Sequence, residues 1–298
     1  MPTDRPRPTL AESGRPGRPT RSSHTARRRR RGVLVLLVVL LAVGGGAWYG
    51  VRLLVDSVRS PQCFITAAGV TESFGPDQTG NAATIAAISM KRGLSPRAAT
   101  IALTTAYQES KIRNLRYGDR DSLGLFQQRP SQGWGTREEI LDPVHATNAF
   151  YDALVKYKGY ETADITTIAQ KVQRSGFPEA YRDHEGQGRV LASTLTGHSP
   201  AGLACRLDPA TTHAAPADVA ADLAEQMGIS TAKAGDGVLT VTAPDKVRAW
   251  AVGQWAVARA EQYGATAVSV GERAWDRADG EAGWSAGADG TTVTITLR

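Results

Sequence analysis

Residues 33–51 form a run of nineteen amino acids without a charge, VLVLLVVLLAVGGGAWYGV, which limits the possible folds of this chain more than any other stretch. At about 1.5 Å rise per residue, a helix of this length approaches the ~30 Å hydrocarbon core of a bilayer. The cluster Arg27–Arg31 precedes the run directly, and Trp48 and Tyr49 lie near its far end. Because arginines stay in the cytoplasm and these aromatic residues favour the interface, we predict a transmembrane helix at 33–55.

The same run is compatible with a second interpretation, a signal peptide that is removed after export. Gly45, Gly46 and Ala47 provide the small residues that a cleavage site requires. Anchoring predicts a single-pass protein of the cell membrane with a cytoplasmic N-terminus, whereas cleavage predicts a secreted protein. Both interpretations place the body of the chain outside the cytoplasm.

The charge of the chain is distributed unevenly. Residues 1–32 contain ten arginines against Asp4 and Glu12, a net charge of +8, so the overall charge of +6 leaves the other 266 residues at −2. Because this segment has almost no large apolar side chains, it cannot bury enough surface to fold, and we predict a disordered basic cytoplasmic tail. Nucleic-acid binding requires a basic folded domain, so nucleic acid is not expected as a partner.

The chain contains two cysteines, Cys63 and Cys205. An even number of cysteines in an oxidising compartment indicates a disulfide. Chain-entropy models assign about 4–5 kcal/mol to a bond that closes so long a loop. Two unpaired thiols remain the alternative.

The part of the chain beyond the membrane-proximal link has two segments of different character. Residues 61–206 have helical patterns, including helices at 81–94 and 143–157, and no strand is predicted between the cysteines. Residues 207–217 have the composition of a linker. Residues 218–298 combine a long helix opening at Pro244 with strands at Val238–Thr242, Ala267–Val270 and 292–297. The predicted fold class is α+β, a mainly helical domain followed by a small C-terminal α/β domain.

The carboxylate of Glu109 lies on the apolar face of a predicted helix. The pair Ser95-Pro96 predicts a helix start, with serine as the N-cap and proline at the first helical position. Glu109 continues the apolar face of this helix, which is formed by Ala99, Ala102 and Ala106. An apolar setting raises the pKa of a carboxyl and allows it to donate a proton near neutral pH. Glu109 is therefore a candidate general acid.

Three short motifs follow one another in the order Glu109-Ser110, Ser122-Leu123-Gly124-Leu125-Phe126-Gln127 and Ala180-Tyr181. With a helix before them and helices after them, they resemble the lysozyme-like soluble lytic transglycosylase family over roughly residues 80–200. The resemblance implies a lysozyme-like domain that cleaves peptidoglycan with Glu109 as general acid and base. It further implies that substrate contacts come from Ser110, Ser122, Gly124, Leu125, Gln127 and Tyr181.

The sequence departs from the family pattern at two positions. Phe126 stands where methionine is usual, and Arg182 replaces the asparagine after Ala180-Tyr181. The segment Gly133-Trp134-Gly135 is particular to this chain, and Trp134 is predicted to bind substrate by stacking on a sugar face. Arg129 is a second candidate contact, to a peptide or muramyl carboxylate.

Glycosidases with two carboxylates place the second acid about 5–9.5 Å from the first. Asp119 and Asp121, in the loop after Glu109, are the nearby candidates, although turn-capping is their more ordinary role. If one of them activates water, the product has a reducing end. If Glu109 acts alone, a sugar hydroxyl is the nucleophile and the product is an anhydro sugar.

The remaining motifs of the sequence favour neither a metal nor a cofactor. The five histidines lack paired ligand spacing, and no phosphate-binding glycine loop is present.

The expected function is cleavage of the MurNAc–GlcNAc β-1,4 bond of peptidoglycan by a membrane-anchored enzyme without a cofactor. A non-catalytic glycan-binding or scaffold protein of the envelope is the first alternative. The second alternative is a regulator whose C-terminal domain binds an envelope protein.

Overall fold

The computed structural model describes residues 34, 36–51, 60–173 and 178–298, and the chain divides into two units, Met1–Arg59 and Ser60–Arg298. In the first unit, residues 36–51 form helix α1, whose side chains are mostly exposed. Among the described residues, no helix combines the length and the apolar character that a membrane span requires. The predicted tail and both ends of the predicted transmembrane helix lie outside the described residues, so the anchor stays a prediction.

Within the described part of the chain, the second unit contains all eight strands and nine α-helices. The strands are β1 (Gln62–Ala67), β2 (Val70–Phe74), β3 (Leu203–Arg206), β4 (Lys233–Gly235), β5 (Val238–Thr242), β6 (Ala267–Val270), β7 (Arg273–Asp276) and β8 (Thr292–Thr296). The helices are α2 (Pro76–Lys91), α3 (Pro96–Ser110), α4 (Arg137–Leu141), α5 (Pro143–Leu154), α6 (Ile165–Gln173), α7 (Glu185–Leu195), α8 (Pro216–Met227), α9 (Lys246–Ala258) and α10 (Ala260–Tyr263). Three 3-10 turns cover Pro130–Gln132, Pro178–His184 and Arg277–Ala282.

Strands β2, β1 and β3 form an antiparallel sheet in that order, so the prediction of no strand between the cysteines is wrong. The strands are only four to six residues long, and so short an alternation is easily missed beside long helices. A two-residue turn of Ala68 and Gly69, both with positive φ, joins β1 to β2, as in type I′ hairpins. Cys63 and Cys205 lie opposite each other on β1 and β3 and form the predicted disulfide.

The helices of this half begin where local capping allows. Helix α3 begins at Pro96 with Ser95 at the N-cap position, as predicted, although the Ser95 side chain makes no capping hydrogen bond. Helix α2 begins at Pro76 rather than at residue 81, because Gly75 is its N-cap and the Gln78 Oε1 accepts a hydrogen bond from the Gly75 N–H at 2.8 Å. The predicted helix at 143–157 is confirmed as α5, although it ends at Leu154.

The C-terminal segment contains a five-stranded sheet of order β4-β5-β8-β6-β7. Strands β5 and β6 both pair antiparallel with β8, so they run parallel to each other and α9 lies in the crossover between them. The predicted strands β5, β6 and β8 are confirmed. Helix α9 begins at Lys246 rather than at Pro244, because the Asp245 carboxylate caps it by accepting a hydrogen bond from the Arg248 N–H at 2.8 Å.

The helical segment and the C-terminal segment belong to one compact unit, Ser60–Arg298. Gln254 of α9 is completely buried. Its Nε2 donates to the Thr194 carbonyl at 2.6 Å, and its Oε1 accepts from the Gly202 N–H at 2.9 Å. The described structure is 51% helical and 16% strand, a mixture of helix and sheet that is compatible with the predicted α+β class.

Candidate functional site

Glu109 lies one residue before the end of α3, and the backbone that follows this helix has two consecutive left-handed residues. The next two residues after the helix, Lys111 (φ 55) and Ile112 (φ 58), both adopt left-handed conformations. For an L-residue this conformation costs about 1–2 kcal/mol, and it persists here because Ile112 is completely buried and its N–H donates to the Ala106 carbonyl at 3.0 Å. Packing of Ile112 therefore fixes the direction in which the chain leaves Glu109.

The Glu109 carboxylate is bound by Tyr181, a residue 72 positions later in the chain. The Tyr181 hydroxyl donates to Glu109 Oε1 at 2.6 Å, and its side chain is only 1% exposed. Tyr181 comes from the 3-10 turn Pro178–His184, which brings it to the end of α3. Two of the three predicted motifs therefore meet in a single hydrogen bond, while the neighbouring Arg182 is exposed.

Burial raises the pKa of the Glu109 carboxyl above its ordinary value of 4.5, and hydrogen bonds from Tyr181 and Gln173 oppose part of that rise. Within the described structure, no neighbouring carboxylate contributes to this shift. Since the raised pKa lets the carboxyl hold a proton to higher pH, Glu109 has the protonation behaviour that a general acid requires.

The segment Gly124–Gln127 is held against the end of α3 by hydrogen bonds to its carbonyl groups. The Ser110 hydroxyl donates to the Leu125 carbonyl at 2.7 Å, and the Gln173 Nε2 donates to the Phe126 carbonyl at 2.6 Å. Leu125 and Phe126 are completely buried. Ser110 and Leu125, predicted as substrate contacts, therefore form part of the support beneath Glu109.

Gly124 is required by its conformation and by its surroundings. It has φ +75, and a Cβ at this position would lie 2.6 Å from the Ile140 carbonyl oxygen. Its N–H donates to the Leu115 carbonyl at 2.7 Å, closing the loop between them. The backbone can approach α4 this closely because no side chain intervenes.

Gln127 and Ser122 bind each other within that loop. The Ser122 hydroxyl lies 2.7 Å from the Asp119 carbonyl oxygen and 3.1 Å from the Gln127 Oε1. The Gln127 Nε2 lies 3.3 Å from the Gly124 carbonyl oxygen. Ser122 is 5% exposed, so its hydroxyl organises the loop from within, and Gln127 retains partial exposure.

The two loop carboxylates have different environments. Asp121 accepts hydrogen bonds from the Arg129 Nε at 2.8 Å and from the Ser131 N–H at 2.8 Å. The Arg129 guanidinium, followed by the Ser131 groups, lowers the pKa of Asp121 well below its usual range. Asp119 is exposed, with the Arg120 Nε at 3.9 Å. Arg129 and Asp121 thus neutralise each other, which leaves Arg129 occupied rather than open to a substrate carboxylate.

Trp134 lines a cavity that does not include Glu109. It is partly buried and lines a space of about 320 Å³ together with Tyr157 and Val172. A larger cavity, of about 800 Å³, is lined by residues of α2, α8, α9 and α10, including Arg259 and Gln226. Glu109 lines neither of these two cavities in the described structure.

Three residues of this region were missed by sequence reasoning or given no role. Gln173 holds the Phe126 carbonyl, and nothing in its helical surroundings marks it in the sequence. Lys111 and His184 approach each other, with Lys111 Nζ at 3.1 Å from His184 Nε2. The spacing of three residues between Tyr181 and His184 could have indicated that His184 lies near the site, since residues three apart share a face of a 3-10 turn.

No protein-family model and no curated protein matches the chain. Within the part of the chain that the structure describes, no group of three or more histidine, cysteine, aspartate or glutamate side chains could hold a metal ion. The family resemblance and the absence of a cofactor stay predictions. The site is therefore interpreted from its own geometry.

Proposed function

We propose that this protein is a membrane-anchored enzyme outside the cytoplasm that cleaves the MurNAc–GlcNAc bond of peptidoglycan, with Glu109 as general acid and base. The observation that carries the proposal is the 2.6 Å hydrogen bond from the Tyr181 hydroxyl to Glu109 Oε1 at the end of α3. The burial that raises the pKa of this carboxyl supports the same role. The lysozyme-like character of the domain is part of the proposal.

The chemistry follows from a single carboxyl group. The Tyr181 hydroxyl donates to Oε1, and we assign the catalytic proton to the other oxygen, Oε2. Protonated Glu109 donates this proton to the glycosidic oxygen as the bond from that oxygen to the anomeric carbon breaks. The Glu109 carboxylate then accepts the proton of the C6 hydroxyl of the same sugar, whose oxygen bonds to the anomeric carbon. The product is an anhydro sugar, and Glu109 is protonated again.

The environment of the other acids supports this nonhydrolytic route over hydrolysis. Asp121 is engaged by Arg129 and Ser131, and Asp119 is exposed beside Arg120. No carboxylate of the described structure contributes to the pKa shift of Glu109. A base that activates water opposite Glu109 is therefore not provided by these two residues.

A second candidate function is that of a glycan-binding or scaffold protein without turnover. The observation that favours it is that Glu109 lines neither the cavity beside Trp134 nor the larger one beside Arg259. In this alternative the Glu109–Tyr181 pair holds the 3-10 turn to α3 and has no catalytic role. Binding of the glycan would then be unaffected by loss of the carboxylate.

One experiment separates the two functions. The full chain in detergent is incubated with purified peptidoglycan, and released muropeptides are analysed by mass spectrometry beside the Glu109→Gln variant. The enzyme proposal predicts anhydro muropeptides from the parent and none from Glu109→Gln. Tyr151→Phe, which removes a buried hydroxyl bound to the Ile85 carbonyl, serves as a control with normal release. No release from the parent, while it still pellets with the wall, would establish the binding protein instead.

A further inference from the structure

Lys111, His184 and Tyr107 form a small cluster between the end of α3 and the 3-10 turn Pro178–His184, the two elements that also provide Glu109 and Tyr181. Lys111 Nζ is 3.1 Å from His184 Nε2 and 4.6 Å from the centroid of the Tyr107 ring. The centroids of the Tyr107 and His184 rings are 4.8 Å apart. The ammonium group therefore contacts a ring nitrogen of His184 and the face of the Tyr107 ring.

The same two elements provide this cluster and the candidate catalytic pair. Tyr107, Glu109 and Lys111 belong to the end of α3 and its cap. Tyr181 and His184 belong to the 3-10 turn Pro178–His184, where residues three apart lie on one face. Glu109 contacts Tyr181 and Lys111 contacts His184, so the carboxyl group and the ammonium group both lie where the end of α3 meets this 3-10 turn.

The positive charge of Lys111 is not neutralised by a contact. Lys111 is exposed, and within the described structure no carboxylate lies within ion-pair distance of its ammonium. Two nearby arginines differ, since Arg113 pairs with Asp77 and Arg129 pairs with Asp121. Burial, followed by the neighbouring Lys111 charge, lowers the pKa of His184, which favours the neutral ring whose Nε2 can accept from the Lys111 ammonium. The ammonium retains two further N–H donors.

We propose that Lys111, positioned by His184 and Tyr107, binds a carboxylate carried by the glycan strand beside the bond that Glu109 cleaves. A carboxylate complements an ammonium that has free donors, and charge-assisted hydrogen bonds of this kind are the stronger ones. Two sources of this group exist on peptidoglycan, the stem peptide and the lactyl group that is exposed when the peptide is removed. This inference rests on the proposed function, because it assigns the group to the substrate of the same site.

The test measures dissociation constants of soluble glycan strands in the Glu109→Gln background, where turnover does not interfere. Three forms of the strands are compared: intact strands, strands whose carboxylates have all been converted to amides, and strands stripped of peptide by an amidase. Lys111→Gln is expected to weaken binding of carboxylate-bearing strands about tenfold and to leave binding of the amidated strands unchanged. An effect on intact strands identifies the peptide carboxylate, and an effect on stripped strands alone identifies the lactyl group.

Matched variants separate a specific contact from loss of charge or structure. Arg113→Gln removes an equal charge two residues away and is expected to change none of the three affinities. Lys111→Arg retains the charge and is expected to restore most of the affinity. Equal weakening of all three strands by Lys111→Gln, or no weakening of any, would overturn the subsite while leaving the proposed function intact. Failure of the parent background to bind any strand would overturn both.

Discussion

Removing the Tyr181 hydroxyl is expected to destabilise the protein in a pH-dependent way. Tyr181→Phe keeps the buried ring and deletes the 2.6 Å hydrogen bond to Glu109 Oε1. A hydrogen bond to a charged group contributes about 1.5–3 kcal/mol, and one between neutral groups about 0.5–1.5 kcal/mol. Because Glu109 is only partly buried, solvent screens the charge, and a loss of about 2 kcal/mol is expected where the carboxylate is ionised.

The sign of the pH dependence follows from the protonation of Glu109. Above its raised pKa the carboxylate is ionised, so deletion of the hydroxyl removes a charge-assisted bond. Below that pKa the carboxyl is neutral, and the same deletion removes a weaker bond. The difference in the free energy of unfolding between Tyr181→Phe and the parent should therefore be larger at about pH 8 than at about pH 4.

Urea denaturation of the full chain at these two pH values provides the assay, with Tyr151→Phe as the matched control. Tyr151 is also completely buried, but its hydroxyl donates to the neutral Ile85 carbonyl at 3.0 Å. Its replacement should cost about 1 kcal/mol at both pH values. If Tyr181→Phe and Tyr151→Phe show the same pH-independent loss, the charged hydrogen bond to Glu109 does not exist in solution.

Three further predictions concern stability and are measured by denaturant unfolding. The free energy of unfolding of Glu109→Gln should increase relative to that of the parent as pH rises above 4.5, because the raised pKa makes Glu109 harder to ionise in the native state than in the unfolded state. An equal free energy of unfolding at all pH values would contradict this prediction. Gly124→Ala should cost about 1–3 kcal/mol and more than Gly133→Ala, since a Cβ at Gly133 meets nothing within 4 Å; equal costs would refute the close approach at Gly124. Replacement of Cys63 and Cys205 by serine should cost about 2–5 kcal/mol, and an unchanged midpoint would show that the bond does not form.

The sequence predicts those parts of the site that depend on helical spacing and on the order of short motifs. The apolar spacing of α3 places Glu109 on its inner face, and the motif order brings Tyr181 into the same prediction. The structure joins these two residues by a hydrogen bond. Ser110 and Ser122 were predicted as substrate contacts by motif alone, and they instead bind carbonyl groups of the surrounding backbone. A motif identifies which residues belong together, but not which way each side chain points.

The parts that could not be predicted depend on packing between distant segments. Gln173 reaches the Phe126 carbonyl only because α6 lies against the loop, and no spacing in the sequence encodes that contact. The same is true of Gln254, whose amide joins α9 to Thr194 and Gly202 across the predicted linker. Composition indicated a linker at 207–217, yet the segments on both sides belong to one compact unit. Deleting the C-terminal segment would therefore unpair buried polar groups of the helical segment, and it is unsuitable as a test of partner binding.

Isotope incorporation distinguishes whether Glu109 cleaves the glycan with a sugar hydroxyl or with water as the nucleophile. The full chain is incubated with peptidoglycan in water enriched in the heavy oxygen isotope, and released muropeptides are weighed by mass spectrometry. We expect anhydro products that contain no heavy oxygen, and no products from Glu109→Gln. Products with one heavy oxygen at the new reducing end would rule out the nonhydrolytic route, because water would then be the nucleophile and a second carboxylate would have to activate it.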